Sequence, residues 1–555
     1  HRVDRRQRQM CIRDRLLCCT KKCKLWVNFS TMTPYSGPWT AAEAAHLLRR
    51  CTFGATFTDI QAAVQAGMSA TISNLLIPNP IDEPLAYDPA EQIVAQGQTW
   101  VSAVYPQDVT ANQQTEGARM KSLGAWIAKN LNQESLSLTE KMLFFWQNHF
   151  GVTTSGDARA MYHYLHLLRQ NALGNVKQLL KDVSIDPCML LFLNGSTNTV
   201  FSPNENYARE LLELFTVGKG AQLAAGDYST FTEQDVAAGA KIFTGYIVQG
   251  VRSSTQNQVT SQFMAPLHDS STKVLSYHFN NQVVNAAGAT EYAGYIDIVF
   301  NQPDTATYIC RKLYRYFVNC DITAWVEQNI IADMAQTFVA NNFEITPVLV
   351  ELFSSAHFYD ISMRGAIIRS PLETLCAMLN TSSTTANFDL QTTYQIYLSM
   401  YGLADQMGQG YAAPPSVAGW TPYYQAPAFY RLWINSTYIK KRFDVANFLT
   451  SNNFNVNGNV FKIQVLDLLN GLSAPASAPQ VIEDLCLVLF PKDIPASDKL
   501  AIKAILTGGL PDFEWTLQYN EYLADPSNPT FYTPVELRMQ AVLNIMFKMP
   551  QFHVC

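Results

Sequence analysis

Residues 202–215 read SPNENYARELLELF, and this stretch decides how the rest of the chain is interpreted. Its apolar side chains recur at helical spacing and predict one face that enters a core; they are Tyr207, Ala208, Leu211, Leu212 and Phe215. Ser202 is followed by a proline and, three residues on, by Glu205, which is the order of a capped helix start. The stretch therefore predicts an amphipathic helix over residues 202–215.

A second stripe of the same helix is polar, and it admits two interpretations. It contains Asn206, Arg209, Glu210 and Glu213. The carboxylates of Glu210 and Glu213 are suited to binding a ligand or a metal ion. Alternatively, Glu205–Arg209 and Asn206–Glu210 are pairs one turn apart on a solvated face, each worth about 0.2–0.5 kcal/mol. Periodicity alone favours the solvated face.

The composition indicates a globular protein with few charges. Apolar residues make up 48% of the 555 residues, which is enough for a large core, whereas charged residues reach only 15%. The net charge of −6 argues against a nucleic-acid partner, because phosphate binding needs clustered lysine and arginine. No apolar run is long enough to cross a bilayer, so the sequence predicts no membrane span.

Helical periodicity dominates the chain and predicts a mainly α fold, a large multi-helix single domain. A short β or irregular insertion is expected near residues 245–280, where β-favouring runs alternate with Ser, Asn and Gly. Residues 408–427 form a second irregular stretch. Turn-rich sequence then predicts a boundary between a main helical domain, residues 32–450, and a C-terminal helical subdomain, residues 451–555, packed on it.

Two further segments carry the pattern of a capping box. Ser137 with Glu140 predicts the start of a helix over residues 138–150, which is apolar almost all round after its first turn and should be buried. Thr232 with Asp235 predicts the start of another helix in the same way.

Residues 1–31 differ from the rest of the chain and have two explanations. The segment is basic, and its string QRQMCIRDR resembles a translated sequencing-adapter artefact, which would place the natural start at Met32. The alternative is a disordered basic N-terminal extension that acts as a targeting arm. The compartment, cytoplasmic or exported, stays open under both. The seven cysteines beyond this segment form no CxxC pair and predict neither a zinc ribbon nor a disulfide framework.

Residues 203–218, PNENYARELLELFTVG, resemble the signature of a bacterial family catalogued as domain of unknown function 1800. We call these residues the signature segment. Further matches occur in that family's order; they are His46 to Gly54, Phe145 to Phe150, Asp235 to Gly245, His268-Asp269 with Lys273, Arg311 to Phe317, and Met407 to Trp420. The resemblance spans about residues 40–552, nearly the whole core.

The resemblance implies a kind of partner rather than a reaction. Members often accompany a second family, domain of unknown function 1501, which looks like a phosphatase or sulfatase relative. The resemblance therefore implies a scaffold or partner of such a protein. Two departures matter: many relatives have histidine where this chain has Phe215, and the connector after the signature segment is expanded over residues 219–231.

The signature match also changes how the polar stripe is interpreted. A family signature is not expected to consist of ordinary exposed ion pairs. We therefore expect Glu205, Arg209, Glu210 and Glu213 to form a buried polar network.

A hydrolase with a carboxylate–histidine site is the alternative function. A pocket that combines His149, Glu210, Glu213, His268 and Asp269 would supply ligands for a divalent metal ion or an acid–base pair. The candidate catalytic residues are Glu205, Arg209, Glu210, Glu213, His268 and Asp269, and the candidate metal ligands are His149, His268 and Glu210. The competing interpretation of His149 is a hydrogen-bonded core histidine. No GxSxG elbow, HExxH pair or P-loop indicates a well-marked enzyme class.

Carbohydrate binding by the aromatic run at residues 420–433 is the third hypothesis. The flat rings of Trp420, Tyr423, Tyr424 and Trp433 are suited to stacking on sugar rings. The competing interpretation is a proline-braced loop that packs on its own aromatic side chains, and it is slightly favoured.

Overall fold

A computed structural model describes residues 31–132, 136–153, 156–381, 388–451 and 454–555. The artefact and extension hypotheses concern residues 1–31, of which residues 1–30 lie outside the described residues. Most of the described chain is helical, so the predicted mainly α fold is confirmed.

The α-helices are α1 (Ala41–Cys51), α2 (Phe57–Ala66), α3 (Met68–Leu75), α4 (Val109–Leu131), α5 (Thr139–Phe150), α6 (Ala158–Gln170), α7 (Val176–Ser184), α8 (Pro187–Phe192), α9 (Asn206–Glu210), α10 (Glu233–Ile242), α11 (Glu291–Phe300), α12 (Pro303–Phe317), α13 (Ala324–Val326), α14 (Ala332–Ala340), α15 (Ile345–Ser354), α16 (Pro371–Leu379), α17 (Leu390–Gln406), α18 (Ser436–Leu449), α19 (Val465–Asn470), α20 (Ala478–Leu489), α21 (Ala496–Thr507), α22 (Asp512–Ala524) and α23 (Pro529–Lys548). Two π turns, Leu211–Phe215 and Glu327–Ile331, follow α9 and α13.

The strands are short and pair as antiparallel hairpins. They are β1 (Gln222–Ala224), β2 (Asp227–Tyr228), β3 (Tyr246–Gln249), β4 (Thr260–Phe263), β5 (Lys273–Val274), β6 (Val283–Val284), β7 (Asn455–Val456) and β8 (Asn459–Val460). The pairs β3–β4 and β5–β6 fall where the insertion was predicted, near residues 245–280, and confirm it. The pair β1–β2 occupies the expanded connector and was not anticipated.

One hydrophobic cluster connects both ends of the described chain, from Met32 to Cys555. Helix α5 lies deep in it, because nearly every side chain of that helix is buried, as predicted. A fully buried large side chain such as Trp146 contributes about 2–3 kcal/mol relative to an exposed one. The chain is therefore a single domain, while the division near residue 450 stays a prediction.

A buried ion-pair cluster attaches the β3–β4 insertion to the helices. The Arg159 guanidinium binds the Asp157 carboxylate at 2.7 Å and donates to the backbone carbonyls of Gly250 and Gln256 at 2.8 and 2.9 Å. The ring of Tyr105 lies between the guanidinium groups of Arg119 and Arg159. These contacts fix the position of the insertion, and nothing in the sequence pattern had indicated them.

Helix starts were predicted with mixed success. The capping box of Thr232 and Asp235 is present, so that prediction is confirmed. Ser137 and Glu140 do not form one, because the Glu140 carboxylate binds Arg169 at 2.6 Å instead. The helix of the signature segment begins at Asn206 rather than at residue 202, and the Asn204 side chain accepts its first amide at 2.9 Å.

All seven cysteines of the described residues are buried. Within the same residues, no helix has the length and apolar character needed to cross a membrane.

Candidate functional site

The charged face of the signature segment lies at the surface. The Arg209 guanidinium binds the carboxylates of Glu205 at 2.9 Å and Glu233 at 2.7 Å, and Lys219 binds Glu213 at 2.8 Å. Arg209 and Glu233 are 31% and 41% exposed. The expectation of a buried network of Glu205, Arg209, Glu210 and Glu213 is therefore wrong, because solvent reaches these ion pairs.

Glu210 has a different environment from its neighbours. It is partly buried and forms no ion pair among the described residues. Burial raises the pKa of its carboxyl group, and the nearby negative charge of Glu213 raises it further. Glu210 is thus the least satisfied carboxylate of the predicted set.

The helix of the signature segment ends in a π turn, residues Leu211–Phe215. A helix leaves its last backbone carbonyls without partners inside the helix. Here side chains from two other helices satisfy them. Lys312 of α12 donates to the carbonyl of Leu214 at 2.8 Å, and the His149 ring of α5 bonds the carbonyl of Phe215 through Nε2 at 3.2 Å.

Lys312 and His149 also bind each other, with Nζ 3.1 Å from Nδ1. Because a carbonyl only accepts, Nε2 of His149 carries the hydrogen and Nδ1 is left to accept from the amine. Burial holds the pKa of His149 well below its usual value and lowers the pKa of Lys312 to about 7. Both groups are therefore largely uncharged or near their midpoint at neutral pH.

The family-like segments meet around this pair. The Asn148 side chain, next to His149, accepts the backbone N–H of Trp420 at 2.9 Å. Gly151 ends α5 in the left-handed conformation, φ 63°, with its Cα facing the carbonyl of Val417. The Tyr430 hydroxyl donates to the Arg315 carbonyl of α12. The signature segment, α5, α12 and residues 417–430 thus form one packed centre, which we call the His149–Lys312 centre.

His268 belongs to a separate buried cluster. Its Nε2 lies 3.1 Å from a Glu291 carboxylate oxygen, and the other oxygen of Glu291 lies 2.6 Å from Lys273 Nζ. Nδ1 of His268 lies 2.9 Å from the carbonyl of Thr244. The neighbouring Asp269 accepts from Ser271 at its side chain. This cluster joins the insertion to α11.

The structure does not bring the predicted site residues into one pocket. His149 contacts Lys312 and Phe215, whereas His268 contacts Glu291 and Thr244. In the part of the chain that the structure describes, no group of three or more His, Cys, Asp or Glu side chains has the arrangement of a metal site. His149 and His268 bind different partners, and the described residues give no support to the predicted metal-ligand set of His149, His268 and Glu210.

The predicted aromatic ligand surface is mostly core. Trp420 and Trp433 are buried, and Tyr423 is partly buried with its ring 5.6 Å from that of Trp433. Only Tyr424 of the four is exposed. Because buried rings cannot stack on a sugar, Trp420 and Trp433 do not fit a carbohydrate surface, and the competing loop packed on its own aromatics describes them; a role for the exposed Tyr424 stays a prediction.

Lys312 and Glu291 are the polar residues that sequence reasoning missed. Lys312 lies in the family-like string Arg311 to Phe317, on a helix with Tyr308 one turn earlier. This position in a family-like string was a sequence signal that could have identified Lys312 as a candidate. Glu291 had none, because it opens a helix as many surface glutamates do. Its role follows only from the fold.

The family described as "Protein of unknown function (DUF1800)" matches residues 46–554. No curated protein and no solved structure matches the chain. The match includes the signature segment and both polar clusters, and it covers most of the sequence. The chain belongs to the family of proteins of unknown function DUF1800.

Proposed function

We propose that this chain is a binding protein that acts as a scaffold or partner of a phosphatase- or sulfatase-like protein. The observation that carries the proposal is a surface where ion pairs of the signature segment adjoin exposed apolar side chains of a hairpin. We call it the signature face and define it by Glu205, Arg209, Glu233, Tyr277 and the β5–β6 hairpin.

The two parts of the signature face are physically joined. Glu233, which binds Arg209, opens α10, and the next residue, Gln234, donates from its side chain to the Val274 carbonyl of β5 at 2.9 Å. Val274 pairs with Val283 across the hairpin. The charged and apolar groups therefore keep a fixed relative position, as a specific interface requires.

The apolar part of this face is exposed to solvent. Val274, Val283 and Tyr277 are 45%, 49% and 54% exposed. The Tyr277 hydroxyl bonds the Asp227 carboxylate at 3.1 Å, so its ring is held in place. Ordered, exposed aromatic and β-branched side chains rimmed by charges are typical of protein-binding surfaces.

Acidic side chains outnumber basic ones on and around the signature face. Glu205, Glu210, Glu213, Glu233 and Asp227 lie there, against Arg209 and Lys219. Such a surface favours a partner that presents lysine or arginine around an apolar patch. We propose a member of the domain of unknown function 1501 family as this partner.

The test is binding between this chain and a neighbouring-gene protein of that second family, measured by biolayer interferometry. We expect Glu205→Lys and Val283→Asp each to weaken binding about tenfold, which is about 1.4 kcal/mol. Asp444→Lys is the matched control. Like Glu205 with Arg209, Asp444 forms an exposed ion pair with a residue one helical turn from it, Lys440, at 2.8 Å. Absence of binding by the unaltered chain, or equal binding by all three variants, would contradict the proposal.

A hydrolase is the second candidate, favoured by the His268–Glu291 pair, a carboxylate–histidine arrangement of the kind expected from the sequence. The nearest hydroxyl, Thr244 Oγ1, lies 3.3 Å from His268 Nδ1 but donates to the Lys241 carbonyl. Such a hydroxyl is not free to attack a substrate, so we place this candidate second. The test is hydrolysis of phosphate and sulfate esters by the purified chain. If the chain hydrolyses them and folded His268→Asn does not, the hydrolase becomes the first candidate.

A further inference from the structure

We propose that Lys312 is a reactive amine that binds a small aldehyde or ketone as an imine. The site is separate from the signature face and does not depend on a protein partner. It rests on the geometry around Nζ at the end of the π turn.

The hydrogen bonds of Lys312 match a neutral amine. A neutral amine has two N–H groups, and the structure supplies two acceptors for them: Nδ1 of His149 at 3.1 Å and the Leu214 carbonyl at 2.8 Å. An ammonium group would have a third N–H. Both acceptors thus orient the amine and leave its lone pair directed away from them.

The charges near Lys312 also disfavour the ammonium form. It forms no salt bridge among the described residues, and Arg315 on the same helix repels a positive charge. His149, on α5, is uncharged. The Tyr308 ring lies 4.9 Å from Nζ and partly offsets this effect, since an aromatic face attracts a cation. Glu210 and Glu213 raise the pKa of Tyr308, so their carboxylates lie near that ring, but neither binds Lys312 as an ion pair among the described residues.

These surroundings agree with the pKa of about 7 that burial gives Lys312. A lysine with such a pKa is largely deprotonated in mildly alkaline solution and is a nucleophile, as in enzymes that form Schiff bases. The side chain is partly buried, which limits the ligand to a small carbonyl compound.

The covalent step is balanced without an oxidant or reductant. The lone pair of Nζ attacks the carbonyl carbon and forms a C–N bond, while the carbonyl oxygen takes up a proton and becomes a hydroxyl. Nδ1 of His149, which already accepts from the amine, is placed to receive the proton that nitrogen loses and to return it. The hydroxyl then leaves as water together with the second N–H proton, and the nitrogen lone pair forms the C=N bond of the imine.

The experiment is reductive labelling of the full chain with limiting glyoxylate and sodium cyanoborohydride, followed by peptide mass spectrometry. We expect Lys312 to be labelled at least about tenfold faster at pH 7 than Lys440, an exposed lysine in an ordinary ion pair. We also expect the rate of labelling at Lys312 to rise with pH, and the midpoint of this rise to lie near pH 7.

Lys312→Met removes the amine, leaves an uncharged side chain of similar length, and should lose this label while the labelling of Lys440 is unchanged. His149→Gln keeps a hydrogen-bonding side chain beside the amine and should slow labelling at Lys312 alone. The pH profile of the unaltered chain needs no variant and decides the case if either variant fails to fold. Labelling of Lys312 no faster than Lys440, or a midpoint near 10, would overturn the proposal.

Discussion

At the scale of single residues, Glu291 is the side chain whose removal should be most damaging. It is fully buried and bonds both Lys273 and His268. We expect Glu291→Ala to lower the free energy of unfolding by about 3–5 kcal/mol, because the buried Lys273 would lose its nearer counter-charge and keep only the Asp269 carboxylate at 3.9 Å. Urea denaturation measures this, with Asp444→Ala as the control, which should cost less than about 1 kcal/mol. Equal losses in the two variants would contradict a structural role for the cluster.

Asp186 should make stability depend on pH. It caps α8 by accepting the Cys188 amide at 2.8 Å, and burial raises its pKa to about 7. The folded state therefore binds a proton that the unfolded state has released between about pH 4 and 7, so stability falls as pH rises through this window. Asp186→Asn keeps the cap without the charge. As the pH rises from 4 to 8, we expect the free energy of unfolding of this variant to increase by about 2 kcal/mol relative to that of the unaltered chain. Urea unfolding at each pH measures this difference.

What the sequence revealed about single residues depended on distance along the chain. His268 was anticipated as chemically notable, but its partner Glu291 is 23 residues away and its motif is ordinary. His149 was anticipated as either a ligand or a core histidine, and its partner Lys312 is 163 residues away. Pairings of this kind are set by how helices pack, and helical periodicity carries no information about them.

At the scale of elements, the close contact between the end of α5 and residues 417–420 should be intolerant of any added atom. A Cβ at Gly151 would lie 2.2 Å from the Val417 carbonyl oxygen, and φ is already 63°. We expect Gly151→Ala to lower the free energy of unfolding by about 3 kcal/mol or more. Gly509→Ala is the matched control, because its φ is 77° with open space around it, and it should cost about 1 kcal/mol. Similar losses in thermal denaturation would show that the close contact is unimportant.

Helices were predicted correctly where their position depends only on residues close together in the sequence. Helix α5 and the capping box of α10 follow from apolar spacing and from side chains three residues apart. The start of α9 was placed too early, because Ser202-Pro203 has the order of a helix start but the helix begins after Glu205, where the Asn204 side chain accepts the Asn206 amide. The π turn of residues Leu211–Phe215 was not anticipated, since its stability depends on Lys312 and His149 at its open carbonyls.

At the scale of the whole molecule, the core should make the chain unfold as one unit. Residues beyond 450 bury side chains in the same cluster as α1, and the Arg49 side chain donates to the Leu487 carbonyl at 2.8 Å. We expect a chain that ends at residue 450 to lose cooperative unfolding, because it would expose the apolar faces of α1 and α2. Circular dichroism during heating measures this. A sharp transition in the shortened chain would show that residues 451–555 are a separate subdomain.

The fold class was readable from the sequence as a whole, and the site was not. Helical spacing recurs in dozens of places, so errors in single elements leave the mainly α prediction intact. The His149–Lys312 centre depends instead on the relative position of three helices. A family match gave the order of the segments that meet there but no distances between them.

The π turn in the signature segment has a consequence for how this chain can change by insertion and deletion. A π turn contains about one residue more than a turn of α-helix, and here it forms the end of the helix. Removing one residue from 211–215 would leave too few residues for this wider turn and would change the positions of its last carbonyls. Leu214 and Phe215 would then present their carbonyls away from Lys312 and His149. A deletion of one residue would therefore remove together the two bonds that attach this turn to α12 and to α5.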